Sequence, residues 1–268
     1  MRYIGMDVHK EFCVATQMDK EGNVIEGPQR IETSTQALQE HFSTLDEATV
    51  AIESTGVWEY VYEILDSLGL DVKLVNPVKA RAIAEAKIKT DTVDSQILAH
   101  LLRSNLIPEV YTGTKDMREL KRLVKERVFL KKQTTRLKNR IHSELLRRGI
   151  QPEMNIFTQH GRTYLRQLEI SSVKRELNIL ESVEEELSSL DRELHGYRKD
   201  NHDVHLLTTM PGIGDYTALS IVSVIGDIDR FSSSEKLSSY LGLVPSTHQS
   251  GDTTYHGHIT KEGPAHVR

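Results

Sequence analysis

Residues 89 to 100, KTDTVDSQILAH, place Asp91 and Asp94 three positions apart, just ahead of the apolar residues Ile97, Leu98, Leu101 and Leu102. On a helix, positions i and i+3 share a face, so the two carboxylates repel one another. One reading of the pair is a helix start, with Thr90 as N-cap and the acids at the positive end of the helix dipole. The other is a cation site, which needs more hard oxygen ligands from elsewhere in the chain. Two more acids stand at the ends of predicted strands, Asp7 in RYIGMDVH and Glu53 in TVAIES. Each has a local explanation, Asp7 as a strand-end turn residue and Glu53 as a cap for a helix starting near Thr55 and Gly56. Together they fit a site better. The first strand and the strand after the first helix can lie side by side, joining Asp7 to Glu53, and a helix packed across that end adds Asp91 and Asp94. Four such ligands suit two Mg²⁺ ions, or Mn²⁺, and a pair of ions can run in-line phosphoryl transfer.

A second group of reactive residues lies in PSTHQSGDTTYHGH, which carries Ser246, Thr247 and Ser250 with His248, His256 and His258. A serine hydroxyl attacks only with help from a base or a metal, and a lone turn serine ordinarily bonds the backbone. The histidine spacing fits no standard zinc site, so these residues read as surface or phosphate-contacting groups. Upstream, MPGIGDYTAL reads as a helix, a turn with Gly212 and Gly214, and a second helix whose open amides can hold a phosphate. That pattern is similar to a helix-hairpin-helix, and its plain alternative is a tight connection between packed helices.

The elements that position these groups follow from periodicity. RYIGMDVH, EFCVATQMD and VIEGPQRIET read as three strands of an antiparallel meander, and STQALQEHFSTL as a helix capped by Ser34. TVAIES is a buried strand, GVWEYVYEILDSLG an amphipathic helix ending at Gly69 with Trp58 in the core, DVKLVNP another strand and KARAIAEAK helical. A leucine spacing through Leu123, Leu130 and Leu137 predicts a long helix from Met117 to Arg148, stopped by Gly149 and Pro152. A second long helix is expected from Leu165 to Leu194, its seam interrupted at Glu184, the two forming a coiled-coil hairpin, self-paired or paired with another copy. A short helix and a β-hairpin close the chain.

Composition sets the class. The 268 residues are 38% hydrophobic, enough for several folded units. The one cysteine, Cys13, lies in an alternating apolar run and reads as core, which excludes an internal disulfide and points to a reducing compartment. No apolar run approaches the ~20 residues of a membrane helix, and MRYIGMDVHK lacks the features of a signal peptide. The expected location is cytoplasmic, with the nucleoid. The net charge of -5 hides a polarity: residues 1–100 hold nine Lys/Arg against seventeen Asp/Glu, and residues 115–148 hold thirteen against four. A basic helix of this kind is either a solvated face or a nucleic-acid surface.

DVHK with Asp7, AIESTGVW with Glu53 and KTDTVDSQILA with Asp91 and Asp94 resemble the acidic tetrad of the DEDD transposases of bacterial insertion sequences, the bridge-RNA-guided recombinases. MPGIG, FSSSEKLSSYLGLVPS and HQSGDTTYHGHITKEG resemble the C-terminal part of the same family, so the resemblance covers nearly the whole chain. It implies an α/β fold with a RuvC-like, ribonuclease-H-like mixed-sheet domain at residues 1–113 that binds metal. It further implies a coiled-coil arm at 114–200 and a mostly helical serine transposase domain at 201–268, the first and last meeting as a composite active site. Ser250, before Gly251, matches the family nucleophile, with Ser246 in reserve. Family members continue beyond GHITKEGPAHVR, so the C-terminal domain is expected to be shortened here, with activity reduced.

The expected function is a DNA transposase that cuts and rejoins donor and target DNA with Mg²⁺ and a transient phosphoserine. A structured guide RNA and a homodimer or homotetramer are its expected partners. Lys121, Arg122, Lys125, Arg127, Lys131, Lys132, Arg136, Lys138 and Arg140, with Gly212 and Gly214, are the expected nucleic-acid contacts. The rivals are a junction-cutting endonuclease that uses water and a non-catalytic RNA- or DNA-binding relative. A sugar-kinase-like phosphotransferase also ends its first strand in an Asp, but its glycine-rich phosphate loops are missing.

Overall fold

In the computed structural model of the chain, the described residues are 1–45, 47–83, 90–199, 201–250 and 253–268, without the side chains at 248, 250, 253 and 254. They fall into two compact units, Met1–Thr112 and Gly113–Arg268.

The first unit is α/β. Strands β1 (Arg2–Val8), β2 (Phe12–Met18), β3 (Val24–Glu32), β4 (Ala48–Glu53) and β5 (Asp71–Val75) form one sheet in the order β3-β2-β1-β4-β5. β1 runs antiparallel to β2 and parallel to β4, so it is the central strand of a mixed sheet. The alternation of β1 sorts its side chains between two layers. Ile4, Met6 and Val8 join Val50, Ile52 and the buried Cys13 beneath helices α1 (Thr35–Phe42) and α2 (Trp58–Ser67), where Leu38, Phe42, Val61 and Leu65 complete the core. Each such fully buried aliphatic side chain contributes about 2 kcal/mol relative to exposure. Trp58 packs against this core while only partly buried, its ring edge-on to Tyr62.

On the opposite face, Ala51 and Val75 meet Leu98, Leu101 and Leu102 of α4 (Asp91–Arg103) and Ala80 of α3 (Pro77–Ile83). The helix expected at KARAIAEAK is seen as α3 as far as Ile83; its remaining residues lie outside the described ones. Ser34 caps α1 by accepting the Ala37 N–H, as its place in the sequence predicts.

The second unit is built on α5 (Lys115–Leu146), of 32 residues and about 48 Å, whose N-cap Thr114 accepts the Met117 N–H. α7 (Ser171–Arg198) packs antiparallel to it. Leu120 and Leu123 meet Leu190 and Leu194 at one end, and Ile141 and Leu145 meet Val173 and Leu177 at the other.

The expected single helix from Leu165 to Leu194 is instead two. α6 (Gln159–Gln167) ends before Glu169, whose φ of 54° leaves the helical region, and α7 begins at Ser171. Glu184, the residue that breaks the leucine seam, is an anchor here: it binds Lys138 of α5 at 2.9 Å and also Arg162 of α6. α8 (His202–Thr208) and α9 (Asp215–Ile225) follow, and Val204, Ala218, Leu219 and Val222 share one core with the start of α5 and the end of α7. After α10 (Ser234–Tyr240), β6 (Pro245–Ser250) and β7 (Thr253–Ile259) pair as an antiparallel hairpin.

Candidate active site

Asp7 lies within β1 rather than in a turn, and only 6% of its surface is exposed. Its Oδ2 lies 3.1 Å from His9 Nε2, and the same nitrogen lies 3.4 Å from Oδ1 of Asp91. Burial raises the Asp7 carboxyl above the ordinary carboxylate range; His9 acts against this, while the charges of Asp91 and Asp94 push further upward. A buried acid beside two others and one imidazole gains from a cation.

The approach of α4 to the sheet creates this meeting. Gly5 lies two residues before Asp7 on the same face of β1, and a Cβ placed there would be 2.1 Å from the Ser95 carbonyl oxygen and 2.3 Å from the Ala99 nitrogen. Only a glycine lets the helix backbone lie directly on the strand. Thr16, in register with Gly5 on β2, pins the contact through a buried 2.8 Å hydrogen bond between its hydroxyl and that of Ser95. Ser95 is one turn beyond Asp91, so this crossing delivers the helix start to the end of β1. Thr90 caps α4 by accepting the Val93 N–H, and Asp91 and Asp94 occupy the first turn. The capping reading of these acids leaves their carboxylates at the helix start, facing the end of β1.

Glu53 is the last residue of β4. Met6 pairs with Ile52 in the parallel register, so Asp7 and Glu53 are the next residues along adjacent strands. Glu53 does not cap α2, whose N-cap is Val57 with no side-chain bond. One oxygen each from Asp7 and Asp91 and one nitrogen from His9 lie within 4.8 Å of one another, a group that does not extend to Glu53 or Asp94. Neighbouring ligands around an octahedral cation with bonds of 2.1 Å are about 3.0 Å apart. The 3.1 and 3.4 Å spacings therefore fit a divalent cation with small adjustments.

The nine basic residues anticipated on α5 divide by partner. Arg122 pairs with Glu119, Arg127 with Asp191, Lys138 with Glu184 and Arg140 with Glu176. Arg127 also stacks over the Tyr216 ring at 3.8 Å. Lys121, Lys125, Lys131, Lys132 and Arg136 have no ion pair among the described residues. Four of these, 121, 125, 132 and 136, share one face of the helix over about 22 Å. Lys131, Lys132 and Arg136 line an open groove with Thr135, Asn139 and Tyr216. Like charges crowd this face. Burial and then Lys125 and Arg230 lower the Lys121 pKa, and burial followed by Lys125, Lys121 and Lys132 lowers that of His266.

Gly212 has a φ of 91° in the turn between α8 and α9, and Gly214 is the N-cap of α9. Ser250 ends β6 opposite Thr253, while its side chain, that of His248 and the neighbouring Gly251 lie outside the described residues. Ser246 sits against Gly257, where a Cβ would come within 2.4 Å of its Oγ. His256 accepts or donates a 3.1 Å hydrogen bond with Thr247, and His258 is exposed. Sequence reasoning missed His9 and Gly5. The alternation of DVH carried the signal for His9, because residues two apart on a strand share a face.

Two family models match the chain. One, the DEDD transposase model of the IS110 type, covers residues 4–149, and the other, described as transposase of the IS116/IS110/IS902 family, covers 204–268. The first span contains all four acids and the second contains Ser250. The transposase for insertion sequence element IS1111A of Coxiella burnetii is 26% identical over 286 residues, spanning 100% of this chain and 75% of its own length. The transposase for element IS1328 of Yersinia enterocolitica is 24% identical, over 99% of this chain and 80% of its own. A pilin gene-inverting protein of Moraxella lacunata is 28% identical, over 93% of this chain and 74% of its own. With a matching model over more than half its length, the chain belongs to the DEDD transposase family of IS110-type insertion sequences.

Proposed function

We propose that the chain cuts and rejoins donor and target DNA by phosphoryl transfer that depends on divalent cations. Asp7, Glu53, Asp91 and Asp94 hold the cations, Mg²⁺ or Mn²⁺, at the end of the central strand. When bound, these ions polarise the scissile phosphate and offset the charge that develops on it. The protein's part is to gather the carboxylates and keep Asp7 out of water, so that its charge acts in a medium of lower dielectric. Ser250 supplies the attacking hydroxyl. Its oxygen bonds to phosphorus as a deoxyribose oxygen leaves, and the resulting phosphoserine stays open to attack by a second strand's hydroxyl.

In this reading residues 1–113 are the metal-dependent RuvC-like part, 114–200 a coiled-coil arm that pairs copies as a dimer or tetramer, and 201–268 the serine part. The unpaired cations of α5 hold nucleic-acid backbone, including a structured guide RNA, with Gly212 and Gly214 offering backbone contacts to phosphate. The observation that carries the reading is the buried Asp7 carboxylate, drawn towards Asp91 through one imidazole nitrogen. The test is Mg²⁺-dependent strand cleavage. Asp7→Asn or Asp91→Asn should abolish it in a protein that circular dichroism shows to be folded, and full cleavage by either variant refutes the assignment.

A further inference from the structure

His9 belongs to neither the acidic tetrad nor the serine part, yet its Nε2 sits between Asp7 and Asp91, at 3.1 and 3.4 Å from their oxygens. A ring nitrogen carries at most one hydrogen, so it can donate fully to only one of the two carboxylates. A divalent cation among the three atoms serves all of them at once.

The imidazole is also held in advance. The backbone that carries it is fixed by two hydrogen bonds: the His9 main-chain N–H donates to the Phe12 carbonyl at 2.9 Å, and the His9 main-chain carbonyl accepts from the Thr33 hydroxyl at 2.9 Å. Its ring packs on Phe12 with centroids 4.8 Å apart, and the Arg30 guanidinium lies over the Phe12 ring at 3.7 Å. A ring packed in place before binding loses less entropy when it binds a cation.

We propose that His9 Nε2 is itself a ligand, completing with Asp7 and Asp91 the donor set of one divalent cation and biasing that position towards Mn²⁺ over Mg²⁺. The inference rests on the metal-site reading given above. Its chemical basis is ligand softness: an all-oxygen set suits Mg²⁺, whereas an imidazole nitrogen favours transition-metal ions. His9 thereby sets cation selectivity at a site whose carboxylates alone would not.

The test uses the full chain without nucleic acid and Mn²⁺ as the sole added probe. In protein carrying ¹⁵N-labelled histidine, pulsed electron paramagnetic resonance of bound Mn²⁺ should show coupling to a histidine nitrogen. His9→Gln, which keeps a hydrogen-bond donor between the carboxylates, should lose that coupling. Mn²⁺ affinity should fall on the order of tenfold and Mg²⁺ affinity, read by competition, by clearly less. Bound Mn²⁺ without nitrogen coupling in the unmutated protein overturns the proposal, as does an equal loss of both metals in His9→Gln; His9 then only holds the carboxylates. Failure of the unmutated protein to bind Mn²⁺, or undiminished binding by Asp7→Asn, instead overturns the metal-site reading and this inference with it.

Discussion

Gly5 of β1 lies so close beneath Ser95 of α4 that a methyl group in place of its hydrogen would sit 2.1 Å from the Ser95 carbonyl oxygen. Both atoms nearest that position belong to helix backbone, which cannot swing aside as a side chain can. Gly5→Ala should therefore push α4 from the sheet and destabilise the first unit by roughly 3 kcal/mol, the upper end of ordinary overpacking. Gly27→Ala, with no atom within 4 Å of the added carbon, is the control. Thermal unfolding of both variants checks this, and near-native stability of Gly5→Ala would show that α4 can move without cost.

Asp7 is buried next to two other acids, so in metal-free protein its charge opposes folding. Asp7→Asn should raise the melting temperature in buffer containing chelator, at about 4 °C per kcal/mol for a unit of this size. Added Mg²⁺ should raise the melting temperature of the unmutated protein through binding linkage and leave the variant unmoved. Equal responses of the two proteins to Mg²⁺ would place the cation away from Asp7.

The basic face of α5 should make nucleic-acid binding steeply dependent on salt. Each phosphate contact contributes about 0.9 to the slope of log K against log salt on duplex DNA. Replacing Lys125, Lys131, Lys132 and Arg136 together by Ala should thus flatten the slope by about three to four units. Arg127 and Arg140 are tied to Asp191 and Glu176 between helices, and their replacement should cost stability more than slope. Binding isotherms at several salt concentrations decide the matter, and an unchanged slope in the fourfold variant assigns the contact to another face.

Much of this arrangement was legible because it is written over short distances. The five strands and the Thr90 cap follow from alternation and cap chemistry. What stayed hidden depends on partners remote in sequence. Gly5 is unremarkable until a helix some ninety residues later crosses it, and His9 has no meaning until the start of α4 reaches the end of β1. The apolar spacing changes register at Glu169, from Leu165 and Leu168 to Ile170, Val173 and Leu177, the place where the left-handed residue separates α6 from α7. The basic residues of α5 look alike in sequence, and the acids of α7, with Glu119 of α5 itself, divide them into structural and available sets.

The proposed nucleophile has two candidates in the C-terminal hairpin, Ser246 and Ser250, which take different places in it. The Ser246 hydroxyl occupies space that exists because residue 257 is glycine, since a Cβ there would lie 2.4 Å from its oxygen. That packing gives Ser246 a task within the hairpin. Ser250 closes the strand pairing opposite Thr253, and the residue after it in sequence is a glycine, whose lack of a side chain permits close approach of a phosphate to backbone. A covalent phosphoserine conserves the energy of the broken bond, which allows strands to be rejoined without an external source. Incubating the protein with guide RNA, Mg²⁺ and labelled DNA, then denaturing, should leave label attached to protein. Ser250→Ala should lose the adduct, and Ser246→Ala should keep it, with any reduction traced to a loosened hairpin by its melting temperature. An adduct that survives Ser250→Ala moves the nucleophile elsewhere, and cleavage without adduct in the unmutated protein makes water the attacking group.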